Sequence, residues 1–267
     1  MIPDERVRST VDSANTAFTG REFVAAVTGA TGGVGSAVAH RLAANGGSLV
    51  LLGRREDALA ALADKIGEDT SAIRTICADL CRKSELERAV SQIRETVGRL
   101  DALVHAAGVF VRGKLDETLL EEFDEVFQVN TRARFFLTRE LIPLMSVRGG
   151  QVVFVNSSLG LRSDGGVGAY AGTMHADRAL ADALREEVNE DDVRVMTIYL
   201  GRTATPMQEE IHEDEGRPYD PSRLIQPETV AEVVEHALKM GPDAEITDVT
   251  IRSMRKPAPP TTDAENR

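Results

Sequence analysis

The 267-residue sequence predicts an α/β protein: one parallel, doubly wound sheet in a single domain, with helices on both faces. Three observations carry this. Short aliphatic and β-branched runs alternate with helical patterns along the chain. Those runs are continuously apolar, as strands are when both faces of the sheet are covered. A glycine-rich turn, TGATGGVG (28–35), joins the first strand to the first helix, which favours an open sheet over a closed barrel.

Taken in order, FVAAVTG (23–29) reads as a strand and GSAVAHRLAANG (35–46) as a helix. SLVLLG is the second strand and REDALAALADKIG the second helix. AIRTICADL and KSELERAVSQIRETVG repeat the alternation, the helix closing at Gly98. LDALVHAAG is followed by one long helical stretch around 117–146. GQVVFVNSS is a strand, AYAGTMHADRALADALREE (169–187) an amphipathic helix and DVRVMTIYLG a strand. The segment 206–226 reads as an acidic, polar loop with Ile211, Tyr219 and Leu224 as its apolar contacts. PETVAEVVEHALKM is a helix and ITDVTIRSM the last strand. The pattern places the ordered domain at 21–252, after an N-terminal extension (1–20) and before a Pro-rich, polar tail (253–267) expected to be disordered.

Composition excludes several classes of partner. A formal charge of −12 and a pI near 5.0 leave no basic face for a nucleic-acid backbone. No apolar run approaches the roughly 20 residues of a membrane span. The N-terminus carries three acidic residues and no apolar core, unlike a secretory signal. A cytoplasmic location is therefore expected. Cys77 and Cys81 have no accompanying Cys or His cluster, so no metal site is expected, and two reduced, packed thiols are the reading.

In a doubly wound sheet, ligands bind outside the carboxyl ends of the strands, and the chemistry-bearing residues sit there. In the first turn, Gly29 permits a tight bend, Gly33 a close backbone approach, and Gly35 close packing of helix on strand. The helix that follows offers unpaired N–H groups to a pyrophosphate. Arg54 and Arg55 end the second strand, 19 residues beyond Gly35, where an NAD site would carry an acidic residue. Two guanidinium groups suit a 2′-phosphate, so NADP(H) is favoured over NAD(H).

These motifs, in this order, resemble those of the short-chain dehydrogenase/reductase family over nearly all of residues 21–252. TGATGGVG is similar to its TGxxxGxG turn, and ADL (78–80) to the segment that sets an acidic residue, here Asp79, near the adenine. HAAG (105–108) stands where the family has NNAG, Asn130 matches its active-site asparagine, and LGRTATPM matches its PG-x-x-x-T segment with Leu200 in place of proline. VNSSLG followed by AY resembles its Ser…Tyr pair. Ser157, 13 residues before Tyr170 and three before Gly160, fits that spacing, and Ser158 faces the other way on an extended segment.

The resemblance implies a Rossmann-type fold and hydride transfer between a nicotinamide and a carbonyl carbon. Tyr170 would exchange the proton, Ser157 would hold the substrate oxygen, and Asn130 would order a relay water. Gly29, Thr31, Gly33, Val34, Gly35, Arg54, Arg55, Asp79, Ala106, Gly108, Thr203 and Thr205 would hold the cofactor. A homodimer or homotetramer through the helices around 117–146 and 170–190 is implied as well, with Phe135, Phe136, Leu180 and Leu184 in core or interface and Asp177 and Arg178 as an interface pair.

One position departs from the family. Four residues after Tyr170, where the family has a lysine that lowers the tyrosine pKa and binds the nicotinamide ribose, stands Met174. It has no charge and no donor. His175 is turned away on the helix, Arg178 lies about 80° off the tyrosine direction, and Asp177 carries the wrong sign. A reductase needs the phenol protonated and tolerates this loss; an alcohol dehydrogenase needs the phenolate and does not. The expected function is an NADP(H)-dependent reductase acting on a carbonyl of a small organic molecule. The alternatives are a dinucleotide-binding pseudoenzyme and a non-redox enzyme, of dehydratase or cyclase type, on the same fold.

Overall fold

A computed structural model describes residues 23–70, 72–145, 150–241 and 243–255. The N-terminal extension and all but the first three residues of the tail lie outside them. Seven strands form one parallel sheet: β1 (Val24–Thr28), β2 (Ser48–Gly53), β3 (Ile73–Cys77), β4 (Ala102–His105), β5 (Gly150–Ser157), β6 (Val193–Leu200) and β7 (Asp248–Ile251). Their spatial order is β3-β2-β1-β4-β5-β6-β7, with the reversal of direction between β1 and β4. This is the Rossmann-type arrangement, and its switch point lies at the β1 and β4 ends.

The continuous apolar runs have a two-sided cause. Along β1, Ala25 and Val27 enter one core while Ala26 enters the other; in β2, Leu49 and Leu51 oppose Val50 and Leu52. The first core is closed by helices α1 (Gly33–Ala44), α2 (Glu56–Ile66) and α8 (Pro227–Leu238). The second is closed by α3 (Lys83–Thr96), α5 (Arg134–Met145) and α6 (Gly168–Val188). The inner strands spend most of their period-2 alternation on two dry faces, which is why they read as apolar runs; the buried polar exceptions include His105 near the end of β4 and Asn156 near the end of β5.

Four expectations need correction. The stretch around 117–146 is not one helix: α4 (Leu120–Phe127) and α5 are joined by a π-helical turn at Gln128–Ala133, which contains Asn130. Such a turn inserts one residue into the helical register and leaves no periodicity signal of its own. The 206–226 loop contains helix α7 (Pro206–Asp214), capped by the Thr205 hydroxyl accepting from Gln208 N at 3.2 Å. Cys77 and Cys81 are free, but Cys77 is exposed at the open edge of the sheet and Cys81 is half-buried, so the thiols are not packed. Asp177 is wholly buried, and Arg178 pairs on the surface with Asp182 at 3.7 Å, so the two do not form an interface pair.

Helices α1 and α8 are tied together by Glu235, whose carboxylate accepts from Arg41, Asn45 and Lys239. Burial opposes its ionisation, but these donors outweigh burial and hold the carboxyl down at about 2. A folded-state value below the unfolded one, about 4.3, means stability that is present above the unfolded value and lost as pH falls towards 2. Glu235→Gln is expected to cost about 1–2 kcal/mol at pH 7, with the deficit shrinking between pH 5 and pH 2. Urea unfolding of both proteins across that range checks it; a deficit that does not change with pH would refute the charge account.

Candidate active site

The carboxyl ends of β1, β2, β4, β5 and β6 open into a cavity of about 540 Å³. Its floor is set where two turns meet. Gly29, with φ +63°, lies so close to the turn after β4 that a Cβ there would stand 2.6 Å from Ala107 Cα. Ala107 N donates to Thr28 Oγ1 at 3.2 Å, which joins the end of β1 to the turn beyond β4. Gly35 packs against the Gly29 carbonyl with no room for a side chain. Gly32 caps α1 without a side-chain hydrogen bond, so the first-turn N–H groups have no side-chain partner there.

Gly29, Thr31, Gly33, Val34 and Gly35 line this end of the cavity, with Arg54 and Arg55 at the end of β2. The Arg54 side chain is 61% exposed and makes a loose 4.0 Å ion pair with Glu125. Ala106 and Gly108 line the middle, and Thr203 and Thr205 the opposite wall, where Thr205 packs on Gly33. Asp79 is not among the lining residues; its neighbours Ala78 and Leu80 are. Its carboxylate accepts from Cys81 N at 2.9 Å and pairs with Arg82 at 3.3 Å, so it is occupied within its own turn.

The other end gathers Ser157, Tyr170, Asn130 and Met174. Ser157 ends β5, accepts from Leu159 N at 3.2 Å and lines the cavity with Tyr170, whose phenol it acts to lower in pKa. Ser158 starts a single 3₁₀ turn and does not line the cavity. Tyr170 sits in the first turn of α6, with Phe110 edge-on at 4.9 Å between centroids. Burial raises its phenol above the ordinary tyrosine range, opposed by the Ser157 hydroxyl and by Arg134. Asn130 holds the turn after β4 in place: its Nδ2 donates to Val109 O at 2.9 Å and Thr173 Oγ1 at 3.2 Å, while its Oδ1 accepts from Val109 N at 2.9 Å. Met174 is 2% exposed.

Sequence reasoning overlooked Arg134. This residue, 3% exposed, reaches the cavity from the first position of α5. Its Nη1 donates to Asp177 Oδ2 and its Nη2 to Ala107 O, both at 2.7 Å. Asp177 also accepts from Asn156 Nδ2 at 3.1 Å. His105 lies near it, neutral because burial and Arg134 hold its imidazole far below the usual value. The available signal was spacing, since Arg134 follows Asn130 by four residues and shares its face of the helix.

The lid over the cavity is also fixed by charge. Ile211 and Met207 of α7 line it, and Glu215 just past the helix meets Arg112, Arg202 (2.7 Å) and Arg217 (3.0 Å). Among the described residues no cluster of His, Cys, Asp and Glu is arranged to hold a metal ion, and no helix is long and apolar enough to cross a membrane.

With this geometry in place, comparison identifies the class. The model of the short chain dehydrogenase family matches residues 23–216, and the chain belongs to that family of oxidoreductases. An uncharacterized oxidoreductase of Staphylococcus epidermidis is 27% identical over 87% of this chain and 97% of its own length. A glycine betaine reductase of Emericella nidulans is 30% identical over 88% of this chain, which corresponds to 19% of that longer protein. Among solved structures, the alcohol dehydrogenase of the archaeon Thermococcus sibiricus, complexed with 5-hydroxy-NADP, superimposes with a TM-score of 0.80 at 27% identity, covering 89% of this chain and 99% of its own. A metagenomic short-chain oxidoreductase in complex with NADP gives 0.76 at 26% identity, covering 88% and 98%.

The Gly29 contact makes a stability test of the cavity floor. Gly29→Ala combines a left-handed φ with a Cβ against backbone, and is expected to cost about 2–4 kcal/mol in thermal or urea unfolding. A loss under about 0.5 kcal/mol would show that the two turns are not locked together.

Proposed function

We propose that this protein is an NADP(H)-dependent reductase acting on a carbonyl group of a small organic molecule. One observation supports it above the others: a single cavity is lined at one end by a helix N-terminus and two arginines and at the other by Ser157 and Tyr170 together. The residues fit a phosphorylated dinucleotide. The glycines let the turn pack without side chains against Ala107, Thr205 and its own backbone while lining the cavity, the uncapped start of α1 suits a pyrophosphate, and Arg54 and Arg55 suit a 2′-phosphate. The solved relatives that carry NADP point the same way.

When bound, the reduced cofactor would supply the hydride for the carbonyl carbon. Ser157 would hold the carbonyl oxygen by a hydrogen bond and polarise it. Tyr170 would give its phenolic proton to that oxygen as the alkoxide forms, and would regain a proton from solvent afterwards. Asn130 would keep the turn after β4 in place, and the apolar lid residues Ile211 and Met207 would limit water. Burial favours the protonated phenol, so reduction is favoured over alcohol oxidation at neutral pH. The same reading expects a homodimer or homotetramer in the cytoplasm, with Phe135, 48% exposed on α5, on a face such an assembly would cover.

Two measurements test this. Fluorescence titration is expected to show NADPH binding more tightly than NADH. Arg54→Ala should cut the preference about 10-fold or more, the worth of one charge-assisted hydrogen bond. Failure of both cofactors to bind would overturn the proposal in favour of a non-redox enzyme or a scaffold. In turnover with a panel of aldehydes and ketones, Tyr170→Phe should abolish reduction and leave the NADPH dissociation constant within about threefold. The reductive rate of the unmodified protein should stay level between pH 6 and 8 while any oxidative rate climbs with pH, because the raised phenol is protonated throughout that window.

A further inference from the structure

A phenol that gives up its proton becomes a phenolate, and a phenolate in a half-buried pocket needs a positive charge nearby. One turn along α6 from Tyr170 there is none, because Met174 fills that place and is buried. Among the described residues that line the cavity, three are cationic: Arg54, Arg55 and Arg134. The first two stand beyond β2, separated from the β5 end by β1 and β4. Arg134 is on the near side.

We propose that Arg134 supplies the positive charge of the Ser157–Tyr170 site from the neighbouring helix, in place of a side-chain ammonium at position 174, with Asp177 as its anchor. It is a positioning residue, and the proposal rests on Tyr170 being the proton donor. Two hydrogen bonds hold it directly, and three more brace its anchor. Nη1 is held by Asp177, seven residues and two turns from Tyr170 on the same helix face, and Nη2 by Ala107 O. Asn156, next to Ser157, donates from Nδ2 to both Asp177 Oδ2 and the Met174 carbonyl. Asn156 Oδ1 accepts from Ser157 N at 2.6 Å. The guanidinium is thus braced to β5, to the turn after β4 and to α6 together. Its Nε–H is buried with no hydrogen-bond partner, as is Asp177 Oδ1, so the pair is not built for hydrogen-bond satisfaction alone.

The groups facing Tyr170 come from three elements. Ser157 of β5 is a neutral hydroxyl, and Arg134 of α5 and Asp177 of α6 are charged; His105, which neighbours Arg134 and does not line the cavity, is neutral. Of the two charges, Arg134 acts on the phenol more strongly than Asp177. A cation on α5 with its own counter-ion leaves the Tyr170 phenol protonated at neutral pH yet limits how far burial can raise it.

The test reads Tyr170 directly in cofactor-free protein. With all three tyrosines labelled at the ring Cζ, Tyr170→Phe assigns the resonance, and NMR follows its titration. Arg134→Gln should move the midpoint up by about one pH unit, and Asp177→Asn should move it down. Adding Met174→Lys to Arg134→Gln should bring it back towards the original value. A merely structural pair would give shifts of one sign, or none, and no rescue by lysine; either result overturns the proposal. If Arg134→Gln does not fold, Asp177→Asn and Met174→Lys alone decide it, since each should lower the midpoint, and an unchanged midpoint in both refutes it. Because no cofactor is present, failure of NADPH binding would sink the reductase reading without touching this result.

Discussion

The site depends on the contact between two backbone turns, at Gly29 after β1 and at Ala107 after β4. These strands are neighbours at the point where the sheet reverses its winding, so the segments that leave their paired carboxyl ends run to opposite faces and leave a crevice. The crevice becomes a bounded cavity because glycine at position 29 allows the turns to touch, and because Thr28 accepts a hydrogen bond from Ala107 across the gap. From this contact, α1 starts on one side and the turn held by Asn130 on the other. The nucleotide end and the Ser157–Tyr170 end are therefore two sides of one packing constraint, and neither can move far without the other.

Beneath the Ser157–Tyr170 end lies a polar layer that the rest of the core lacks. His105, Arg134, Asn156, Thr173 and Asp177 are all buried there, between sheet and helices that are otherwise dry. Burying an ion pair offers little net stability, since desolvation offsets most of the Coulomb gain. An apolar pair of matching volume would hold α5 to α6 at least as well. The charges are thus better explained by what they do to the cavity above them than by what they do for the fold.

The sheet was legible because its physics is repetitive: a strand with two dry faces is predominantly apolar, and the inner strands meet that condition except at a few buried polar positions such as His105 and Asn156. Gly29, Gly33, Gly35 and Arg54 could be placed at strand ends by the same logic, Ser157 and Tyr170 by their resemblance to a family motif, and all line one cavity. The sequence hid what depends on pairing at a distance. Asp177 reads as a surface acid until Arg134, 43 residues earlier, is seen to reach it. The π-helical turn has no compositional mark, although it sets the phase of both Asn130 and Arg134. Asp79 has an acidic residue's chemistry at a strand end, but a local backbone N–H and Arg82 satisfy it first. Cys77 looks like a core residue by type, yet it ends an edge strand and meets solvent.

Met174 and Arg134 are best understood together. An ammonium at position 174 would sit one turn from Asp177 on the same helix and could take it as its own counter-ion. The carboxylate would then be shared between two cations in a pocket that admits little water. With methionine there, Asp177 belongs to Arg134 alone, and the freed volume is filled by an adaptable apolar side chain. Arginine suits the exchanged arrangement, because its planar fork can hold a carboxylate and a backbone carbonyl at once, which a lysine would do with less geometric definition. With methionine on α6 and arginine on α5, the charge beside Tyr170 is carried by the neighbouring helix, and the fixed relation between β4, β5 and α6 is what lets it reach the site.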